Sequence, residues 1–352
     1  MNRSVIYRIA TTAVACVLGA GFVSGQELWQ FFGAYGQIGI VGAGVAVLLF
    51  CFASAVVLWF SSDTGEGNME GLIAPGNRMV QLIIAGFELL FHFILYVLMT
   101  AATGALGERY GLPFWVGCAF FCIVATAVSL LGFQGLMKVF GWLVPILAVA
   151  AIGVAIWSMT LPAHAIPAFA ASGSPLTGNW LISSLVYFSF NFVGSVPILT
   201  AVGHDVTDRR GMVLGVLLAI VPLGGLAIFL LAAIMAHPGA SAFELPMMEL
   251  AAACGTAPGI LYALLLLGGI FATGFSSQAA MNRYFEGFGL KGKKLVAFTA
   301  GLSAIAFLIG LLGFKDLVSV LYPVLGYIGI LPLAIIFFRA LLHFIKKRRQ
   351  RT

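Results

Sequence analysis

Charge is what this sequence has least of. Only 9% of its 352 residues are Asp, Glu, Lys or Arg, while 61% are hydrophobic, and the mean hydropathy is +1.08. Soluble domains carry roughly a quarter charged residues, so this chain cannot cover a water-facing surface and must be solvated by lipid. Cysteine is scarce too, and odd in number at 5. Cys16, Cys51, Cys118 and Cys122 fall inside apolar runs, where cysteine serves as small filler, and only Cys254 lies in an expected loop. Neither a disulfide framework nor metal-ligand spacing appears. Also missing are the strict alternation of a membrane β-barrel, a glycine loop followed by Lys and Ser/Thr for ATP, and a convergent set of nucleophile, base and metal ligands. The expectation is an all-α membrane protein that is not an enzyme and carries no cofactor.

Long apolar runs are abundant. A spanning helix takes about 20 apolar residues, and the chain divides into ten such segments at 5–33, 37–61, 78–105, 112–131, 135–160, 178–204, 211–236, 257–281, 294–312 and 316–345. Gly, Pro and polar residues punctuate them at 61–76, 107–113, 161–178, 237–255 and 287–293. One transmembrane domain over 1–352 is expected. Arg3 and Arg8 ahead of an apolar run also suit a signal peptide, but no convincing cleavage site precedes Ser24, and the run is kept as helix one.

The net charge of +6 sits at the chain ends and in particular loops. With the N-terminus inside, only Arg109 and Lys315 of the basic residues fall outside, which predicts both termini on the cytoplasmic side of a bacterial-type inner membrane. No basic, aromatic-interleaved soluble face exists for nucleic acid. The expected partners are the bilayer, contacted by the basic tail from Lys346, and a small-molecule substrate; oligomeric state is not indicated.

The first segment is interrupted at membrane depth by Leu18-Gly19-Ala20-Gly21-Phe22-Val23-Ser24-Gly25-Gln26-Glu27. Each glycine weakens a helix by about 1 kcal/mol relative to Ala, and freed backbone groups in hydrocarbon must line a cavity or bind something. Close packing through small residues is the alternative, but Ser24, Gln26 and Glu27 are more polar than packing needs. Segment six carries a comparable run, Phe190-Asn191-Phe192-Val193-Gly194-Ser195-Val196-Pro197, in which Pro197 and Gly194 favour unwinding. Gly21 and Gly194 are 173 residues apart, close to half the chain. A five-helix unit has odd parity, so a second copy inserts inverted, and broken helices at matching places in inverted halves mark a secondary-transporter site. The expected halves are 5–160 and 178–345.

This plan resembles the LeuT-type fold of the amino acid–polyamine–organocation superfamily, with ten transmembrane helices in a 5+5 inverted repeat and helices one and six broken. The motif from Gly19 to Glu27 is similar to that of YkvI-like bacterial membrane proteins within it. The resemblance implies a secondary active transporter of a small amine or amino-acid-like solute, working by alternating access. It also implies coupling to sodium or protons, with a candidate Na+ site in which the hydroxyls of Ser276 and Ser277 and the carbonyl of Thr273 meet the carbonyls of Ala15 and Leu18. Oxygen-only ligation suits such a hard cation. A non-transporting solute sensor or receptor subunit on the same fold is the alternative.

Two ionisable residues lie deep in segment three. Glu88 and His92 share a helix face at i, i+4, and ionisable groups at such depth face a cavity, a partner or a proton path. The expected substrate residues are therefore Gly19, Ala20, Gly21, Phe22, Gln26, Glu88, His92, Phe190, Asn191 and Gly194, with Glu88, His92 and Glu27 handling protons or coupling.

Overall fold

A computed structural model describes residues 3–17, 19–131, 134–162 and 172–350. All their regular structure is helical. The first apolar segment is three helices, α1 (Arg3–Val17), α2 (Ala20–Ser24) and α3 (Gln26–Phe31), followed by α4 (Gln37–Thr64), a short α5 (Met69–Ile73), α6 (Arg78–Arg109), α7 (Phe114–Leu131) and α8 (Gln134–Ser158). Then come α9 (Trp180–His204), α10 (Arg209–Ala236), α11 (Pro246–Ala253), α12 (Thr256–Gly287), α13 (Lys293–Gly310) and α14 (Phe314–Arg349). By length and apolarity alone, seven of these can cross a membrane: α4, α6, α9, α10, α12, α13 and α14.

Polar punctuation starts the helices. Asn77 caps α6 by accepting from the Val80 N–H at 3.2 Å, Asn179 caps α9 through Leu181 and Ile182 at 3.0 Å, and Asp208 caps α10 through Gly211 at 3.0 Å. Each cap satisfies a donor that the first helical turn leaves unpaired. Two expected loops hold short helices, α5 within 61–76 and α11 within 237–255. His237, which follows α10, is buried, with its Nε2 at 2.8 Å from the Ser158 carbonyl.

α1 packs on α10 and α9, α4 on α9 and α10, α6 on α12 and α7 on α6 and α13, while α9 is enclosed by α4 and α14. Glycines permit the closest approaches. A Cβ at Gly326 of α14 would lie 2.5 Å from the Val186 carbonyl oxygen of α9, and one at Gly203 of α9 would lie 2.9 Å from the Leu58 carbonyl oxygen of α4.

Segment six is not broken. α9 runs without interruption from Trp180 to His204 with Pro197 inside it. Three side chains bond back to carbonyls of the preceding turn: Asn191 Nδ2 to Tyr187 at 3.3 Å, Ser195 Oγ to Asn191 at 3.0 Å and Thr200 Oγ1 to Val196. None of the three reaches the Val193 carbonyl, the one from which Pro197 withholds a helical donor. Gly194 is a packing seat rather than a hinge, because the Phe91 ring of α6 lies where its Cβ would be, at 2.6 Å.

Gly326→Ala should therefore lower the melting midpoint of the purified protein, at a cost of about 1–3 kcal/mol, because a backbone oxygen cannot move aside. Gly301→Ala on α13, whose Cβ would meet nothing within 4 Å, should leave it unchanged or slightly raised.

Candidate functional site

Segment one is cut twice. The first cut precedes α2, where Gly19 is extended at φ −98°, ψ 172° and no side chain caps the helix that follows. The second is Gly25, which ends α2 and begins α3 at φ +82°, a left-handed conformation that glycine adopts without penalty. A Cβ there would also lie 2.7 Å from Ile234 Cδ1 and 2.9 Å from Met247 Cγ. The freed carbonyls are matched inside the bundle: Ser24 Oγ donates to Gly21 at 2.7 Å, the Gly25 N–H to Phe22 at 3.2 Å, and Tyr262 Oη of α12 to Val23 at 2.5 Å.

The second cut turns Glu27 back over the first. Its carboxyl lies against the bare Cα of Gly21, where an added Cβ would stand 1.9 Å from Glu27 Oε1 and 3.0 Å from Tyr322 Oη. Glu27 is 5% exposed and its partner is the hydroxyl of Tyr322 on α14. The Tyr322 ring stacks on Phe190 of α9 with centroids 3.9 Å apart. Tyr187, one turn earlier on α9, packs edge-on against Phe32 at 4.9 Å, and its hydroxyl has no partner among the described residues. Gln26 is fully buried, and among the described residues both its amide atoms are unpartnered, as is Gln30 Oε1 one turn on. A small cavity of about 30 Å³, with Phe22, Phe32 and Tyr187 in its wall, lies alongside. That is room for about one water, and its wall is completed by α4 and α10 rather than by Glu27 or Tyr322.

Gly21, Glu27 and Phe190 thus converge with Tyr322, a residue the sequence did not nominate. Phe22 and Tyr187 share the wall beside them, and Ala20 is buried within the same turn. Asn191 donates its Nδ2 to the Tyr187 carbonyl of its own helix, and Gly194 seats the Phe91 ring. Glu88 and His92 are elsewhere. Glu88 Oε2 accepts a hydrogen bond from Tyr284 near the end of α12, and no hydrogen bond or ion pair joins Glu88 to His92. Glu88 Oε1 and His92 Nδ1 are buried without partners. Their link to the cluster is Phe91 between them, which packs against Phe190 at 5.6 Å and on Gly194.

Of the expected sodium ligands, Leu18 lies outside the described residues. Ala15 is in the last turn of α1, and Thr273 of α12 approaches Gly19, its Oγ1 4.0 Å from where a Cβ would be. Ser276 Oγ donates to the Thr273 carbonyl at 2.9 Å, and Ser277 is buried. Thr273 of α12 therefore lies beside the first cut, with the Ser276 hydroxyl turned along its own helix. No group of three or more His, Cys, Asp or Glu suited to a metal ion occurs among the described residues.

No protein-family profile matches the chain. It is similar to two Bacillus subtilis proteins along most of its length: YyaD, 26% identical over 336 residues that cover 89% of this chain and 90% of YyaD, and the membrane protein YkvI, 23% identical over 339 residues that cover 92% of each. Among solved structures, MhsT in complex with L-phenylalanine superposes with a TM-score of 0.55 at 15% identity, over 95% of this chain and 88% of MhsT. A point mutant of the Eremococcus coleocola manganese transporter does so with a TM-score of 0.59 at 17% identity, over 94% of this chain and 79% of that one. Apolar helices, membrane-protein relatives and fold agree: this is a multi-pass membrane protein of the LeuT fold. The similarity to YkvI agrees with the resemblance carried by the opening motif.

Tyr322→Phe removes only the hydroxyl that Glu27 bonds and should lower stability by about 1–3 kcal/mol. Combined with Glu27→Gln, the loss should fall short of the sum of the single losses by about 0.5–3 kcal/mol in a double-mutant cycle of melting midpoints. Strict additivity would show that the two side chains do not interact.

Proposed function

We propose that this protein is a secondary active transporter of a small amine or amino-acid-like solute, working by alternating access and coupled to sodium or protons. The carrying observation is the doubly cut segment one, which folds a buried carboxyl back over its own glycine, between α2 and the stacked Tyr322–Phe190 pair. A carboxyl in hydrocarbon held by a single hydroxyl needs a cation or a proton to be stable there, and a solute ammonium, Na+ or H+ each meets that need. Solute binding would draw Glu27 off Gly21 and open space beside the unpartnered Gln26 amide.

Ten transmembrane helices in two inverted halves, 5–160 and 178–345, are part of the proposal, as are cytoplasmic termini in a bacterial-type inner membrane. Contacts of α1 with α9, α4 with α10, α6 with α12 and α7 with α13 support the repeat, which would bring these helices together as equivalents around a pseudo-two-fold axis. Sodium, where it is the coupling ion, would sit between Thr273, Ser277 and the end of α1, with Ser276 released from its own helix. Glu88 and His92 then serve as a proton step towards the Tyr284 end of α12, reaching the solute only through Phe91.

Uptake into proteoliposomes tests this reading. Saturable accumulation of an amine or amino acid should require an imposed sodium or proton gradient. Glu27→Gln should abolish it while the protein still folds, and Glu88→Gln should uncouple it from the proton gradient. Solute-induced stabilisation without any uptake would favour a sensor or receptor subunit instead, and accumulation that persists in Glu27→Gln would remove Glu27 from the mechanism.

A further inference from the structure

A second site lies on the lipid-facing side of α4, at its C-terminal end. Two grooves run down either flank of this helix. One, of about 600 Å³ between α4 and α14, is walled by Phe52, Val56, Phe337 and Leu341. The other, of about 410 Å³ between α4 and α10, is walled by Val213, Leu214 and Leu217. Trp59 and Arg209 line both, so the grooves meet at that pair. Phe52 is 65% and Leu341 56% exposed, so these walls face the hydrocarbon.

Where the grooves meet, the charge is one-sided. Lys347 and Arg348 line the first groove and Arg210 the second, while Arg209 stands between them over the Trp59 ring, 5.7 Å from its centroid. The acid that binds these cations is Asp63, which accepts from Arg209 Nη2 with both oxygens at 2.6 Å and from Lys347 Nζ at 2.7 Å. One carboxylate therefore fixes two of four cations in place, and Arg210 and Arg348 have no acid partner among the described residues. The rim is preorganised and retains net positive charge.

We propose that this junction binds an anionic glycerophospholipid, with its phosphate among Arg209, Arg210 and Arg348 and one acyl chain in each groove astride α4. The charge and the shape together select this occupant. Basic pockets between membrane helices suit anionic headgroups, and two apolar channels diverging from one polar point match a two-chain lipid rather than a single-chain detergent. The lipid clamps α10, α4 and α14 together beside the helix on which α9 packs, and so bears on the rigidity of the wall opposite segment one. None of this depends on which solute is carried.

The full-length protein in a neutral detergent, titrated with phosphatidylglycerol or phosphatidylcholine and followed by its melting midpoint, tests the site. Phosphatidylglycerol should stabilise it saturably and phosphatidylcholine should not. The double variant Arg210→Gln/Arg348→Gln spares the Asp63 pairs and should bind phosphatidylglycerol roughly thirtyfold more weakly, from about 1 kcal/mol per basic residue. Leu341→Trp and Leu217→Trp fill the two grooves without changing charge, and each should weaken binding about tenfold while leaving the lipid-free midpoint unchanged. Equal response to both lipids, or wild-type binding by the charge variant, overturns the proposal. Normal binding by both groove-filling variants overturns it as well, because it would show diffuse surface attraction rather than a seated lipid.

Discussion

The structure depends on how the cut backbone of segment one is satisfied within the bundle. In hydrocarbon an unpaired peptide group costs several kcal/mol, so a helix cannot stop and restart at that depth unless other elements supply what it loses. Here Tyr262 reaches the Val23 carbonyl from α12, Ser24 bends onto Gly21, and Gly25 closes the turn in a conformation open to it without strain. These contacts require α12, α10 and α11 to sit tight against α2 and α3, as the approach of Ile234 and Met247 to Gly25 shows. The glycine seats at Gly203 and Gly326 draw α4, α9 and α14 together on the opposite side.

Much of this architecture is legible in the sequence, for a simple reason. A bilayer turns hydrophobic length directly into helix length, so apolar runs and their Gly, Asn and Asp punctuation map onto helices and caps with few intermediate steps. The first break was legible too, because three glycines among polar residues have little other use at that depth. What failed was the parallel drawn with segment six. Gly194 and Pro197 have the same composition as a break, but glycine also admits a neighbour's ring, and the deciding neighbour, Phe91, lies on another helix about a hundred positions away. α11 was invisible for a related reason: eight residues are too few to show a periodic stripe.

The candidate site was half legible. Glu27 stands out because an acid in an apolar run is costly, whereas Tyr322 and Tyr187 look like ordinary core aromatics until the fold brings their hydroxyls to the carboxyl and its surroundings. Spacing placed Glu88 and His92 on one face correctly, but a shared face is not a bond, and Glu88 reaches instead for Tyr284 on α12. The distribution of acids makes both glutamates conspicuous. Of the 12 Asp and Glu residues, the other ten lie near helix termini, in connecting segments or on the short α5 and α11. They stand where water or a basic partner is near.

An uninterrupted α9 facing a twice-cut segment one makes the bundle mechanically lopsided. Bending is available at Gly19 and Gly25, while the counterpart helix is a stiff rail that turns Tyr187 and Phe190 towards the cluster and Phe188 and Phe192 towards Phe50 of α4. Such a device articulates on one leg only: α1 and α3 can tilt in different directions about α2 between them, and the rail stays still.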